Sequence, residues 1–93
     1  RQMATETSVM LIKSLEAFAQ RDEEKANWVI GRDDVVDDLF DTVKSELIEA
    51  IRQNADNGEA ATDLLMAAKY FERIGDHATN IAIFSITGEM PKD

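Results

Sequence analysis

The sequence predicts an all-α fold, an antiparallel three-helix bundle, from two features of its residue pattern. Apolar residues recur at steps of three and four along most of the chain, which is the period of an amphipathic helix, and they do not alternate with polar residues over any useful length. The single proline stands near the end of the chain, at Pro91, so that no proline interrupts the long helical segments. Long helices joined by short turns pack side by side as a bundle.

The length and composition are those of a small globular domain. With 93 residues the chain can bury only about 60% of the surface of its unfolded form, so its core is modest. Its hydrophobic content of 44% is ordinary for a folded domain. The absence of cysteine excludes disulfides and zinc sites built on thiolates. Because the sequence begins at Arg1 rather than at a methionine, we interpret residues 1–93 as a single domain taken from a longer chain.

The first helix is predicted over residues 3–19. Its apolar face is formed by residues at helical spacing, which are Met3, Met10, Leu11, Ser14 and Phe18. The polar segment 20–22 then breaks this pattern, so we expect the helix to end there.

The second helix is predicted over residues 22–53. Asp22, Glu23 and Glu24 are favourable at its beginning, because negative side chains interact well with the positive end of the helix dipole. Its apolar face consists of Val29, Val36, Phe40, Val43, Leu47 and Ile51.

The third helix is predicted over residues 57–87. It follows a polar loop in which Asp56 and Glu59 resemble a capping box, and it ends where Gly88 precedes Pro91. Its apolar face consists of Leu64, Ala67, Phe71, Ile74, Ala78 and Ala82. We expect one shared core where the second and third helices meet, formed by Phe40, Val43, Leu47, Phe71, Ile74 and Ala78.

The net charge of the chain narrows the classes of partner. Nineteen acidic residues against ten basic ones give a net charge of −9. Nucleic acids and anionic membrane surfaces select basic proteins, so both are disfavoured as partners. No apolar run reaches the length of a membrane-spanning helix, and we expect no direct membrane insertion. Cations and basic protein surfaces are favoured, and solubility alone is the alternative explanation of the charge.

Five aspartates occupy nine successive positions of the second predicted helix, from Asp33 to Asp41. Aspartate is a poor helix former, and like charges one helical turn apart repel each other. Such pairs are Asp33 with Asp37, Asp34 with Asp38, and Asp37 with Asp41. When a helix contains this many unfavourable aspartates and like-charge pairs, the pattern indicates a functional site or a solvated face.

The third predicted helix carries oxygen-bearing side chains at Glu72, Asp76 and Asn80, each one turn from the next. If the second and third helices are antiparallel neighbours, their carboxylate pairs could converge on shared cations. Ligands that are all oxygen suit hard ions such as Mg²⁺, Ca²⁺, Mn²⁺ or Fe³⁺. Acidic pairs at i, i+4 are common on solvated faces, so on spacing alone we favour a solvated acidic face.

The sequence offers no activated nucleophile, since cysteine is absent and no serine has a base at a suggestive spacing. We therefore predict that the domain is not an enzyme. The lone histidine, His77, is also a feature of histidine phosphotransfer domains. Those domains place lysine and glycine after the histidine, whereas Ala78 and Thr79 follow it here. A structural or surface histidine is the favoured interpretation.

The run ERIGDHATNIA, from Glu72 to Ala82, resembles the signature of the PhoU family of phosphate-uptake regulators. The stretch from Asp33 to Asp37, followed by Leu39, is similar to the family's second-helix motif. Members carry two three-helix repeats in tandem. The ending 85–89 of this chain resembles the second repeat, so the resemblance implies one C-terminal repeat.

The resemblance also implies a metal site on the bundle surface. Metals of the family are iron, zinc, nickel or magnesium. By position, their ligands here would be Asp33 and Asp37 from the second helix and Glu72 and Asp76 from the third, with Asn80 assisting. Family members commonly carry glutamate where Ile83 stands on the same face, so one acidic ligand of the family is missing.

The function implied by the resemblance is that of a regulatory adaptor rather than an enzyme. PhoU proteins restrain the ATPase of the phosphate transporter and act on a partner sensor histidine kinase. We accordingly expect a cytoplasmic protein, held at the inner face of the membrane through its partners. A homodimer is also expected, because exposed apolar rims on bundles of this size often pair. Two alternatives remain: a similar domain appended to a sodium–phosphate cotransporter or another transporter, and a purely structural acidic bundle.

Overall fold

A computed structural model describes residues 2–89, which form three α-helices and no strand. The helices are α1 (Gln2–Gln20), α2 (Glu23–Gln53) and α3 (Gly58–Thr87), with a short 3₁₀ turn at Ala55–Asn57 between the last two. The predicted all-α bundle is confirmed, and each helix begins and ends within one residue of its predicted bounds. The bundle is 50 Å long and 22 Å by 16 Å across.

The turn between α1 and α2 is formed by two residues. Arg21 takes a positive φ of 55°, a conformation uncommon outside glycine. Asp22 is the N-cap of α2, and its side chain accepts a hydrogen bond from the backbone N–H of Lys25 at 3.1 Å. The predicted beginning of α2 is thereby explained. At the same end of the molecule Gly88 caps α3 in the left-handed region, at a φ of 75°.

The predicted capping box of α3 is wrong. Asp56 lies in the 3₁₀ turn, where its backbone N–H donates to the side-chain oxygen of Asn54 at 3.0 Å. Asn57 stands at the N-cap of α3 and makes no side-chain capping bond; its amide donates instead to the carbonyl of Ala50 at 2.8 Å. The extra turn moves the beginning of α3 past Asp56, so Asp56 no longer occupies a cap position.

The core is built from small side chains. The buried residues are Met3, Thr7, Met10, Ser14, Ala17, Ala26, Val29, Val36, Ala61, Ala68, Gly75, Ala78 and Ala82. The hydroxyl of Thr7 donates to the carbonyl of Met3 at 2.8 Å, and that of Ser14 donates to the carbonyl of Leu11 at 2.7 Å. These two polar groups are therefore satisfied within α1, which allows them to lie inside an otherwise apolar core.

The predicted shared core of α2 and α3 is confirmed in part. Ala78 is fully buried, while Phe40, Val43 and Phe71 are partly buried against the core. The other two members, Leu47 and Ile74, are half-buried.

Several positions predicted to be buried lie at the surface. Ile51 and Leu64 are 39% and 58% exposed, and Ala67 is also exposed. Helix α1 has 19 residues, whereas α2 has 31 and α3 has 30. The end of the hairpin near the 3₁₀ turn therefore has no third helix packed over it, and helical period alone does not reveal this.

Phe18 is also wrongly predicted to be buried. It is 52% exposed at the other end of the bundle, where its ring stacks on that of Phe84 with the centroids 5.5 Å apart. The contact shows that this flank of α1 packs along α3.

The opposite flank of α1 is joined to α2 by two ion pairs. The guanidinium of Arg32 donates to both carboxylate oxygens of Glu6, at 2.6 and 2.7 Å, and the ammonium of Lys25 lies 3.1 Å from Glu16. The bond to Arg32 lowers the pKa of Glu6 below its ordinary value. These pairs and the Phe18 stack place α1 in the groove between α2 and α3.

Across residues 2–89 the helices carry too many charged and polar groups for any of them to cross a membrane.

Candidate metal centre

Four carboxylates lie along the line where α2 packs against α3. This acidic seam consists of Asp33 and Asp37 on α2 and Glu72 and Asp76 on α3. Each pair is one turn apart on the flank of its helix that faces the other helix. The hydroxyl of Thr79 on α3 lies 3.4 Å from a carboxylate oxygen of Asp33, and this contact crosses the seam.

The charges of the acidic seam repel one another. The pKa of Asp33 is raised above its ordinary value, first by burial and then by the negative charges of Asp37 and Asp76, while the Thr79 hydrogen bond opposes the rise. The pKa of Asp37 is also raised, first by burial and then by the charges of Glu72 and Asp76 on the other helix. The structure thus brings the two predicted pairs close enough to interact electrostatically.

Glu72 has a cationic partner that the sequence analysis did not include. The ammonium of Lys69, one turn earlier on α3, lies 2.8 Å from a carboxylate oxygen of Glu72 and 5.2 Å from the centre of the Phe40 ring. Glu72 raises the pKa of Lys69. The spacing of three residues was the available signal for this pair. Thr79 was also missed, although it stands three residues after Asp76 and on the same flank.

The remaining predicted site residue, Asn80, lies beside this seam. It lines a shallow depression together with Arg73, Asp76 and His77. Asn80 and Ile83 are half-buried, whereas His77 is exposed.

The donor chemistry of the acidic seam fits hard cations, since its ligands are carboxylate oxygens. As the side chains lie, however, no three His, Asp or Glu residues within 2–89 are grouped closely enough to hold a metal ion. Binding would require the carboxylates to turn toward one another and Glu72 to leave Lys69. The structure therefore shows the repulsion that a cation would relieve, without a preformed set of ligands.

The raised pKa values predict how stability depends on pH in the metal-free protein. A carboxyl whose pKa is higher in the folded state binds its proton more tightly there, so Asp33 and Asp37 should add stability as the pH falls from neutral through their raised pKa values. Glu6 acts in the opposite sense, because its pKa is lowered: its contribution is lost as the pH falls through that lower value. Thermal stability in chelator should therefore be highest in mild acid.

We expect Asp37→Asn to raise the free energy of unfolding at neutral pH by about 0.5 kcal/mol, because it removes like-charge repulsion that solvent partly screens. The gain on mild acidification should also shrink. Asp38→Asn is the control, since Asp38 is exposed on the outer side of the same helix. Melting curves in chelator across the pH range measure both effects. A loss of stability in Asp37→Asn would contradict the repulsion.

Comparison with known proteins identifies the class of this fold. A family model described as "PhoU domain" matches residues 1–84. The chain is 39% identical over 87 residues to a Rhizobium meliloti protein, 36% over 91 to one from Clostridium acetobutylicum, and 34% over 94 to one from Methanothermobacter thermautotrophicus. These alignments cover 90%, 95% and 98% of the chain but only 37%, 42% and 43% of the relatives. All three relatives are named as phosphate-specific transport system accessory protein PhoU homologues.

Proposed function

The chain belongs to the PhoU family, and on that premise we propose that it is a regulatory domain of a phosphate-specific transport system. In this proposal it binds a metal ion at the acidic seam and acts by contact with other proteins rather than by catalysis. The observation that carries the metal part is the placement of four carboxylates along the contact between α2 and α3, where the negative charges of Glu72 and Asp76 help to raise the pKa of Asp33 or Asp37. The accessory role is supported by the names of the relatives. The relatives are themselves longer than this chain, which covers 37–43% of their length.

Asp33 and Asp37 on α2 and Glu72 and Asp76 on α3 are the proposed ligands, with the amide of Asn80 at the rim. A cation held between the two helices would neutralise part of their charge and join α2 to α3. The oxygen donors favour magnesium, manganese or ferric iron, and zinc and nickel are the other candidates. Direct metal binding is tested by the melting experiment in the Discussion.

The proposed partners are the ATPase of the phosphate transporter and the sensor histidine kinase that responds to phosphate. The net charge of −9 suits a basic docking surface, because complementary charge accelerates association and rejects other partners. The proposed location is cytoplasmic, at the inner face of the membrane through these partners. We also propose that the chain associates with itself.

Contact with the ATPase is tested by titrating the purified chain onto the isolated ATPase subunit of the phosphate transporter from the same organism. We expect binding that weakens as salt rises, and a several-fold weaker binding of the double variant Glu72→Gln with Asp76→Asn. Surface-based binding kinetics at several salt concentrations give both results.

The matched control is Glu59→Gln with Asp63→Asn. It removes the same two residue types at the same spacing from an exposed part of α3. Equal weakening by the two double variants would mean that net charge, and not the acidic seam, determines the contact. Phosphoester hydrolysis by the isolated chain, abolished by changing Glu72, would overturn the non-enzymatic role.

A purely structural acidic bundle is the second candidate. The pairing of Glu72 with Lys69 favours it, because that ion pair already neutralises one carboxylate of the acidic seam without a metal. Under this alternative, cations would change the stability of the native chain and of the double variant Glu72→Gln with Asp76→Asn, which we call the seam variant, by the same amount. The other alternative is a domain appended to a sodium–phosphate cotransporter or another transporter. Such a domain would carry the same acidic seam, and the sequence of the gene that encodes the parent chain would show whether a transporter is attached.

A further inference from the structure

The acidic seam already holds a cation, which is the ammonium of Lys69. Its Nζ lies 2.8 Å from Oε1 of Glu72, in an ion pair between residues three apart on α3. The side chain of Glu72 is 17% exposed, and that of Lys69 is 62% exposed. Lys69 therefore reaches from solvent onto one of the four carboxylates of the seam and neutralises part of its charge.

A second contact, with the neighbouring helix, restrains the same ammonium. It lies 5.2 Å from the centre of the Phe40 ring on α2, within the distance at which the face of an aromatic ring attracts a cation. Phe40 is packed against the core, so its ring is a fixed support. Lys69 thus bonds to a carboxylate of its own helix and contacts a ring of the other, and it spans the line where α2 meets α3.

Lys69 and a metal ion cannot both bind the same oxygen of Glu72. Metal ions lie about 2.0–2.6 Å from the carboxylate oxygens that bind them. An ion at Oε1 would therefore stand very close to an ammonium that lies 2.8 Å from the same atom. Two positive charges at such a separation repel each other. The pairing also holds the Glu72 carboxylate at Lys69, in keeping with the lack of any group of three His, Asp or Glu residues within 2–89 that could hold a metal ion.

We propose that Lys69 is an internal competitor of the metal ion and sets the affinity of the acidic seam for cations. In the metal-free chain Lys69 holds Glu72, and a metal ion binds by displacing its ammonium from that carboxylate. The inference rests on the metal site proposed above and adds the residue that regulates its occupancy. Lys69 is a positioning residue, because it acts on the metal through Glu72.

Competition with an ammonium favours ions of higher charge. A monovalent ion brings to the seam no more charge than the ammonium that it would replace, whereas a dication brings one charge more. The exchange therefore gains Coulomb energy only with ions such as Mg²⁺ or Zn²⁺. We expect these ions to displace Lys69 in a background of about 0.15 M KCl, the ionic strength at which exposed charges are well screened.

Nuclear magnetic resonance titrations of the 93-residue chain, with Mg²⁺ and separately with Zn²⁺ in that background, test the proposal. Lys69→Met removes the charge and keeps an unbranched side chain, and it should bind each ion about fivefold more tightly than the native chain. Lys69→Arg keeps both the charge and the reach to Glu72, so its affinity should stay within about twofold of the native value. Since Lys69 is exposed, the variants should remain folded, which their amide spectra verify.

Lys44→Met is the matched control for net charge. Lys44 is exposed on α2 and stands seven residues after Asp37, about 10 Å along the helix. Its loss changes the net charge by the same amount as Lys69→Met, but at this ionic strength it should alter the affinity by less than about twofold.

The side-chain signals of Lys69 report the displacement itself. In the native chain its ε-methylene resonances should shift as the metal saturates the seam, because the ammonium leaves Glu72. Those of Lys13, which lies 3.9 Å from Glu16 on α1, should not move.

Three results would overturn the inference and leave the metal site standing. They are equal affinities of the native chain and Lys69→Met, equal tightening by Lys69→Met and Lys44→Met, and Lys69 signals that do not change at saturation. A failure of both ions to bind either the native chain or Lys69→Met would instead remove the metal part of the proposed function, and this inference with it.

Discussion

Met10→Ala should lower the free energy of unfolding by about 2–5 kcal/mol, the range found when large core side chains are reduced to alanine. Met10 is fully buried and, with Val29 and Val36, is among the largest of the fully buried side chains. The other buried positions are mostly alanine, serine and threonine, whose short side chains cannot extend to fill the space. Since a domain of this size is stabilised by only about 5–15 kcal/mol, the loss should be evident in urea denaturation.

Met66→Ala is the matched control for Met10→Ala. Met66 is 68% exposed on α3, so its truncation should change stability by less than about 0.5 kcal/mol. Equal destabilisation by the two substitutions would mean that Met10 is not packed in the core as described. A native-like melting curve for Met10→Ala would lead to the same conclusion.

Cations should stabilise the native chain through the acidic seam. A metal that binds only the folded state at a hundredfold excess over its dissociation constant adds about 2.7 kcal/mol. Differential scanning calorimetry with Mg²⁺, Mn²⁺, Zn²⁺, Ni²⁺ and Fe³⁺ measures the shift, which should disappear in Glu72→Gln with Asp76→Asn. Acidification should reduce it as well, because protonated carboxylates are poor ligands.

The control for the metal experiment is again Glu59→Gln with Asp63→Asn, which should respond to cations like the native chain. Without metal the seam variant has less like-charge repulsion than the native chain, so each protein must be compared with its own chelated form. Equal shifts in the native chain and the seam variant would show that Glu72 and Asp76 belong to a solvated acidic face.

The helices and their order could be predicted from the sequence because each depends on local period and on local end signals such as Asp22 and Gly88. The depth of burial could not, because it depends on which helix lies opposite each residue. Leu64 and Ile51 continue the apolar period of their helices beyond the length of α1 and so remain exposed. Thr7 and Ser14 are buried although polar, since their hydroxyls bond to carbonyls of their own helix.

For the candidate site, the i, i+4 spacing was sufficient to predict which carboxylates share a flank, and the antiparallel packing brings the two flanks together. The spacing did not predict Lys69 or Thr79. Their partners could not be predicted, because a lysine and a threonine on a charged helix have many possible partners. Only the packing shows that Thr79 faces Asp33 and that Lys69 lies over Phe40.

The unequal helix lengths make resistance to local opening uneven along the molecule. In the half that contains α1, a residue of α2 can unfold only by breaking contacts with two other helices, whereas the half near the 3₁₀ turn is an isolated helical hairpin. Segments with few buried apolar contacts open at a lower free energy than the whole domain. The hairpin end is thus the part of this chain that can fray while the acidic seam keeps its shape.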